Sequence, residues 1–241
     1  MARWDTIDVQ GQPMRVYLDT PAGKTSAPGV VVIMHGPGLD RFVEDRVENL
    51  AKHGYAAIAP DLYHRQSTEQ MDMMKRISQL TDPEIVADVD ATIMHLRKVK
   101  DVRVTDLGVL GFCMGGRITY MLAGSLPGAW KLGGVFYGGN IMKPWAEQGP
   151  SPFELTRDIA CPVIGFFGVE DTNPSPDDVE KIDAEMTKHG KPHEFHHYEG
   201  AGHAFLNFMN AERYREKQGA DAWQKMLGFL DRHLKRRSSA A

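Results

Sequence analysis

Three residue types that together perform covalent acyl transfer occur in this chain in a usable order. The run Gly111-Phe-Cys-Met-Gly-Gly-Arg117 is a Gly-x-Cys-x-Gly pattern between the apolar residues 107–110 and a helix-compatible segment, residues 118–122. A nucleophile on a sharp strand-to-helix turn needs small flanking residues, because side chains there would collide with the strand and the helix. The helix N-terminus favours thiolate at Cys113, and the backbone N–H of Met114 would face a developing oxyanion. Asp171 follows another apolar run, residues 162–168, where an orienting acid belongs; its neighbour Glu170 is the rival. His203 lies in the glycine-rich stretch Glu199-Gly-Ala-Gly-His-Ala-Phe205, after a further strand candidate. In this scheme His203 takes the thiol proton and Asp171 holds the imidazole tautomer. Singly, these residues also fit a buried inert cysteine, a turn or cap aspartate and an ordinary loop histidine. The order nucleophile, acid, histidine, each after a strand, favours the catalytic reading.

A second oxyanion donor is expected in Met34-His-Gly-Pro-Gly-Leu39. Gly36 is the candidate, because Pro37 has no N–H. Two preorganised donors would each stabilise a tetrahedral intermediate by roughly 3 kcal/mol. His35, Tyr137 and Trp145 are candidates to line the pocket, with His35 and Tyr137 as substrate-binding residues.

The elements that must carry these groups show as apolar runs at residues 29–34, 55–59, 107–112, 132–137 and 162–168, with a more polar strand at 193–198. Short continuous runs rich in β-branched residues suit strands buried on both faces. Residues 14–19 alternate and suggest an edge strand, and residues 21–28 a polar turn. Residues 83–99 place Val86, Val89, Ile93 and Leu96 on one helical face, with Asp82 as cap and Pro83 in the first turn. Trp223, Met226, Leu227, Leu230 and Leu234 form a second apolar stripe. This alternation implies an α/β fold with an open, mostly parallel sheet, whose sites sit at the carboxyl ends of strands. With the nucleophile turn, it predicts an α/β-hydrolase fold in a single domain, residues 1–241, ending in a flexible tail over 235–241.

Composition narrows the function. With 28 Lys+Arg against 32 Asp+Glu, the net charge of −4 speaks against nucleic acid as a partner. Two cysteines make no disulfide framework. The absence of a spanning apolar run or a leader-like N-terminus gives the expectation of a cytoplasmic protein without membrane attachment. His193-Glu-Phe-His-His197 matches a zinc motif that requires a helix, but here it reads as strand, so no metal is expected. Cys161 reads as structural, and Asp61 and Arg65 as a mutual pair or a loop anchor.

The chain resembles the dienelactone hydrolase (carboxymethylenebutenolidase) family over roughly residues 27–234. The resemblance rests on Gly54-Tyr-Ala-Ala57 running into Pro60-Asp-Leu-Tyr-His-Arg65, on the Cys113 turn, on Asp171 and on Gly202-His-Ala-Phe205. It implies an α/β-hydrolase fold, a Cys-Asp-His triad, no cofactor and ring opening of a dienelactone. Two family positions differ. The family's glutamate after the first strand, which helps control the cysteine's charge, corresponds to His35. Its carboxylate-binding arginine four residues after the catalytic histidine corresponds to Asn207, a further substrate-binding candidate. The family's other carboxylate-binding arginine lies after the Pro-Asp-Leu-Tyr stretch, where Lys75 and Arg76 are available. The expected activity is hydrolysis of a small lactone or ester through an acyl-Cys113 intermediate, by a monomer or small homo-oligomer. The alternatives are a broader carboxylesterase or thioesterase for uncharged substrates, and a non-catalytic thiol sensor.

Overall fold

Every apolar run singled out above forms a strand, and the strands join in one sheet. The computed structural model describes residues 1–23, 26–67, 72–145 and 149–235. In chain order its elements are β1 (Arg3–Val9), β2 (Gln12–Asp19), β3 (Ala27–Ile33), α1 (Arg41–Lys52), β4 (Ala56–Pro60), α2 (Met73–Ser78), α3 (Asp82–Leu96), β5 (Val102–Phe112), α4 (Met114–Ser125), β6 (Leu132–Phe136), β7 (Val163–Gly168), α5 (Pro176–Lys188), β8 (His193–Tyr198) and α6 (Glu216–Leu234). The eight strands run in the order β1-β2-β4-β3-β5-β6-β7-β8. The β1–β2 and β2–β4 pairs are antiparallel, and every other pair is parallel. All seven residues of β3 are buried, as expected of a central parallel strand covered on both faces. Helices flank the sheet. Trp223 of α6 donates to Asn49 of α1 at 2.8 Å, and Arg117 of α4 reaches Asp82 of α3.

Some expectations need correction. Residues 14–19 are not an edge strand: β1 takes the edge, and β2 lies between it and β4. Only Ile7 and Val9 of β1 are buried, which gives it little apolar signal. The helix proposed for 83–99 ends at Leu96, and its cap is Thr81 rather than Asp82. The Asp82 carboxylate instead meets Arg117. Val86 is only partly buried, and the covered face is Ile85, Asp88, Val89, Thr92, Ile93 and Leu96. Helices α1 and α5 carry start signals that periodicity alone passed over. Asp40 accepts from the N–H groups of Phe42 and Val43, and Ser175 forms a capping box with Asp178. Of the proposed tail, residues 236–241 lie outside the described residues. Among the described residues no helix is long and apolar enough to cross a membrane.

Candidate active site

The parallel strands β3, β5, β6, β7 and β8 end at one rim, and the chemistry-bearing residues follow them. Cys113 stands between β5 and α4 with φ 55° and ψ −117°, in a region non-glycine residues rarely adopt. Close packing holds it there. A Cβ on Gly111 would run into the Gly115 carbonyl, one on Gly115 into the Ile33 carbonyl, and one on Gly116 would lie 2.7 Å from the Phe136 oxygen. The Cys113 N–H donates to the Phe136 carbonyl at 3.0 Å, tying the turn to β6.

Asp171 lies three residues beyond β7 and is buried. Its Oδ2 is 2.8 Å from His203 Nδ1, and its Oδ1 accepts from the Asn173 N–H at 2.9 Å. Glu170 is exposed, and its N–H pairs with the Ala201 carbonyl. The other face of the imidazole makes a hydrogen bond with Cys113. The backbone N–H groups of Met114 and Gly36 also face the thiol. Burial opposes a thiolate, but these hydrogen bonds and the His203 charge hold the Cys113 thiol below its ordinary 9.0. Burial likewise opposes an imidazolium at His203. Its hydrogen bonds to Asp171 and Cys113, with their charges, push it up to about 10. Both shifts favour the thiolate–imidazolium form of the pair.

The remaining candidates are placed as follows. Tyr137 is buried, has φ 40°, and sets its ring edge-on to His203 with centroids 5.3 Å apart. His35 Nε2 lies 2.9 Å from Asp40 Oδ2, and its ring rests on Phe42. The residue at the family's glutamate position thus faces the start of α1. Asn207 is 8% exposed and uses its side-chain oxygen to accept from the Met209 N–H at 3.0 Å, within its own loop. Trp145 covers the Arg117 guanidinium at 3.8 Å. Arg76 lies with its guanidinium 3.9 Å above the Tyr63 ring, whereas Lys75 is exposed.

Among the discounted signals, His193 and His197 lie on β8, four residues and about 13 Å apart along a strand, too far to share an ion. Among the described residues no group of His, Cys, Asp or Glu is arranged to hold a metal. Cys161 is buried, and burial raises its thiol to about 11. Asp61 and Arg65 do not pair with each other. Asp61 accepts from the Tyr63 N–H at 3.1 Å, and Arg65 grips Asp88 at 2.8 Å and 2.7 Å.

Two residues near the site escaped the sequence reading. Arg117 is fully buried and joins Asp82 at 2.7 Å and 3.2 Å and the Lys143 carbonyl at 3.0 Å. An arginine one helical turn after the nucleophile, in an otherwise apolar helix, was a legible sign of a buried partner. The other is Tyr63. The Gly36 side also has an apolar rim: Met73 packs over Gly36, and Phe208 packs on Phe42.

The model of the dienelactone hydrolase family matches residues 14–234. A Synechocystis sp. protein named "Putative carboxymethylenebutenolidase" is 34% identical over 95% of this chain and 96% of its own length. A Bradyrhizobium sp. protein named "Probable 2-oxo-3-(5-oxofuran-2-ylidene)propanoate lactonase" is 31% identical over 96% of this chain and 94% of its own. Among solved structures, a "Putative Dienelactone Hydrolase" from Klebsiella pneumoniae superposes with a TM-score of 0.86 at 29% identity, covering 95% of this chain and 98% of that one.

Proposed function

The chain belongs to the dienelactone hydrolase family, and we propose that it hydrolyses a small lactone or ester through an acyl thioester on Cys113. The observation that carries this reading is the convergence on one sulfur of an imidazole already paired with a buried carboxylate and of two backbone N–H groups. The thiolate attacks the carbonyl carbon, and the oxygen that gains charge takes hydrogen bonds from Gly36 and Met114. The His203 imidazolium gives its proton to the departing alkoxide, which in a lactone stays tethered to the acyl group. The neutral imidazole then takes a proton from water as that water attacks the thioester. Collapse of the second intermediate releases the carboxylic acid and restores the thiolate–imidazolium pair. One sheet carries all of these groups, which supports reading residues 1–241 as one domain.

A carboxylate-bearing lactone needs a cation, and Arg76 is the candidate for it that contacts a residue beside Gly36. Its guanidinium lies over the ring of Tyr63, whose hydroxyl touches Gly36, and its Nε donates to Gln66 at 3.2 Å. The Bradyrhizobium relative named as a lactonase for a propanoate-bearing furanone is consistent with an anionic substrate. The second reading, an esterase or thioesterase for uncharged substrates, is favoured by the uncharged Asn207 and the rim of Met73 and Phe208. Hydrolysis of dienelactone and of p-nitrophenyl acetate by wild type, Cys113→Ala and Arg76→Gln decides between them. Cys113→Ala is expected to lose at least roughly 10³-fold in kcat with an unchanged circular dichroism spectrum. Arg76→Gln is expected to raise KM for dienelactone and leave the neutral ester unaffected. Full activity in Cys113→Ala overturns the covalent mechanism. If no ester is hydrolysed and Cys113 oxidises reversibly in peroxide, the thiol sensor takes its place.

A further inference from the structure

The run Pro60-Asp-Leu-Tyr-His-Arg65 does no chemistry in the mechanism above, yet it is packed against the site. Three of its polar residues fix the turn itself. Asp61 accepts from the Tyr63 N–H, His64 Nε2 lies 3.1 Å from Asp88, and Arg65 grips the same buried carboxylate. The fourth, Tyr63, points the other way. It is 3% exposed, its hydroxyl donates to the Gly36 carbonyl at 2.8 Å, and the same oxygen lies 3.5 Å from Met114 Sδ. One phenol thus touches both residues whose N–H groups face the nucleophile.

Gly36 needs such a restraint. A Cβ there would lie 2.7 Å from Met73 Sδ and 3.2 Å from Ile77 Cδ1, so glycine suits the approach of α2. Glycine is also the residue whose backbone is least fixed by its own structure. The loop is closed at its base by the Gly38 N–H donating to the His35 carbonyl at 2.9 Å. At its tip the following residue is Pro37, so no backbone donor is available there. The Tyr63 hydroxyl supplies the missing tie at the tip. Burial pushes this hydroxyl above the ordinary phenol range, Arg76 opposing and the Cys113 charge adding to that, so it is a donor near neutral pH. The Arg76 guanidinium covers the ring from outside.

We infer that Tyr63 is a positioning residue for the oxyanion hole, aiming the Gly36 N–H through its carbonyl and setting its separation from the Met114 N–H. The inference rests on the hydrolytic reading of Cys113. In this role Tyr63 acts through Gly36 and Met114, not on the substrate or the Cys113 sulfur. Loss of an oxyanion donor costs on the order of 10²–10³-fold in kcat, and mis-aiming one costs less.

The test is Tyr63→Phe, which keeps the ring and removes one oxygen, assayed with p-nitrophenyl acetate and by alkylation with iodoacetamide across pH. The expected result is a kcat lower by roughly tenfold with KM within twofold of wild type. Alkylation of Cys113 should also shift to higher pH, because the Gly36 N–H helps hold the thiolate. A purely structural tyrosine would lower the melting temperature and leave both readouts alone, and that outcome overturns the inference. So does a raised KM with unchanged kcat, which would make Tyr63 a substrate contact. Cys113→Ala in the same assay separates the two readings. If it retains activity the hydrolytic reading falls, whereas an inactive Cys113→Ala beside a wild-type-like Tyr63→Phe overturns only the role of Tyr63.

Discussion

The two halves of the site are built by different means. In the acid–base half, side chains hold one another: Asp171 to His203 at 2.8 Å, and His203 to Cys113. Strained backbone presents them, with φ 55° at Cys113 and 63° at Ala204 beside His203. In the proposed oxyanion half the working groups would be two backbone N–H groups, and what holds them comes from outside the strand ends. Tyr63 ties the tip of the Gly36 loop, and Met73 and Ile77 of α2 roof it. The first half fails when a chemical group is removed. The second fails when a direction is lost. A site made of side chains is specified where its residues stand, while one made of peptide groups is specified by whatever presses on the peptide.

Beyond removal of the nucleophile, the largest expected effect lies in the acid–base half. Asp171→Asn keeps the shape but offers the imidazole the wrong partner, and kcat should fall by roughly 10²–10⁴-fold with little change in melting temperature. A loss below tenfold would mean that the hydrogen bond from His203 is not what organises this half. Next comes the charge state of the pair. The thiol is held below 9.0 and the imidazolium persists to about 10, so kcat/KM should rise through the lowered thiol value and fall again as pH passes about 10. In His203→Ala, burial acts on the thiol without the imidazolium, and iodoacetamide alkylation should need pH at or above 9.0. An alkylation curve like that of wild type would show that the helix terminus and the two N–H groups suffice for thiolate. The smallest effect belongs to the roof. Gly36→Ala should cost about tenfold in kcat, since misplacement rather than removal is at issue. Adding Met73→Ala, which takes away the sulfur 2.7 Å from the new methyl, should recover most of it. No recovery would place the strain in the loop and not in its contact with α2.

That contrast also governs how far the sequence could be read. Cys113, Asp171 and His203 were legible as candidates because each follows a strand candidate and the chain order is restrictive. Gly36 was legible through Pro37, which left only one donor. Tyr63 was visible only as part of a family-like run, because nothing in its spacing says that its hydroxyl meets a carbonyl 27 residues earlier. His35 and Asp82 show the same limit. The partners Asp40 and Arg117 lie in contacts that no local pattern encodes. In the fold, strongly apolar strands were plain, while β1 was hidden by its mostly exposed pattern and Asp82 was mistaken for a cap because Arg117 claims it.

The turn at residues 111–116 fixes a location without fixing an element of the periodic table. Its close approaches set Gly111, Gly115 and Gly116 against the backbone of Gly115, Ile33, Phe136 and Gly138 and against the Thr119 hydroxyl. The backbone is thus a socket: an oxygen or a selenium in place of sulfur would sit at the same place, facing the same donors. Under the proposed mechanism, what would change is the life of the acyl intermediate and the leaving groups it can displace. Reactivity in this molecule is therefore open to exchange by a single residue, while the site's address is written into neighbours that cannot be enlarged.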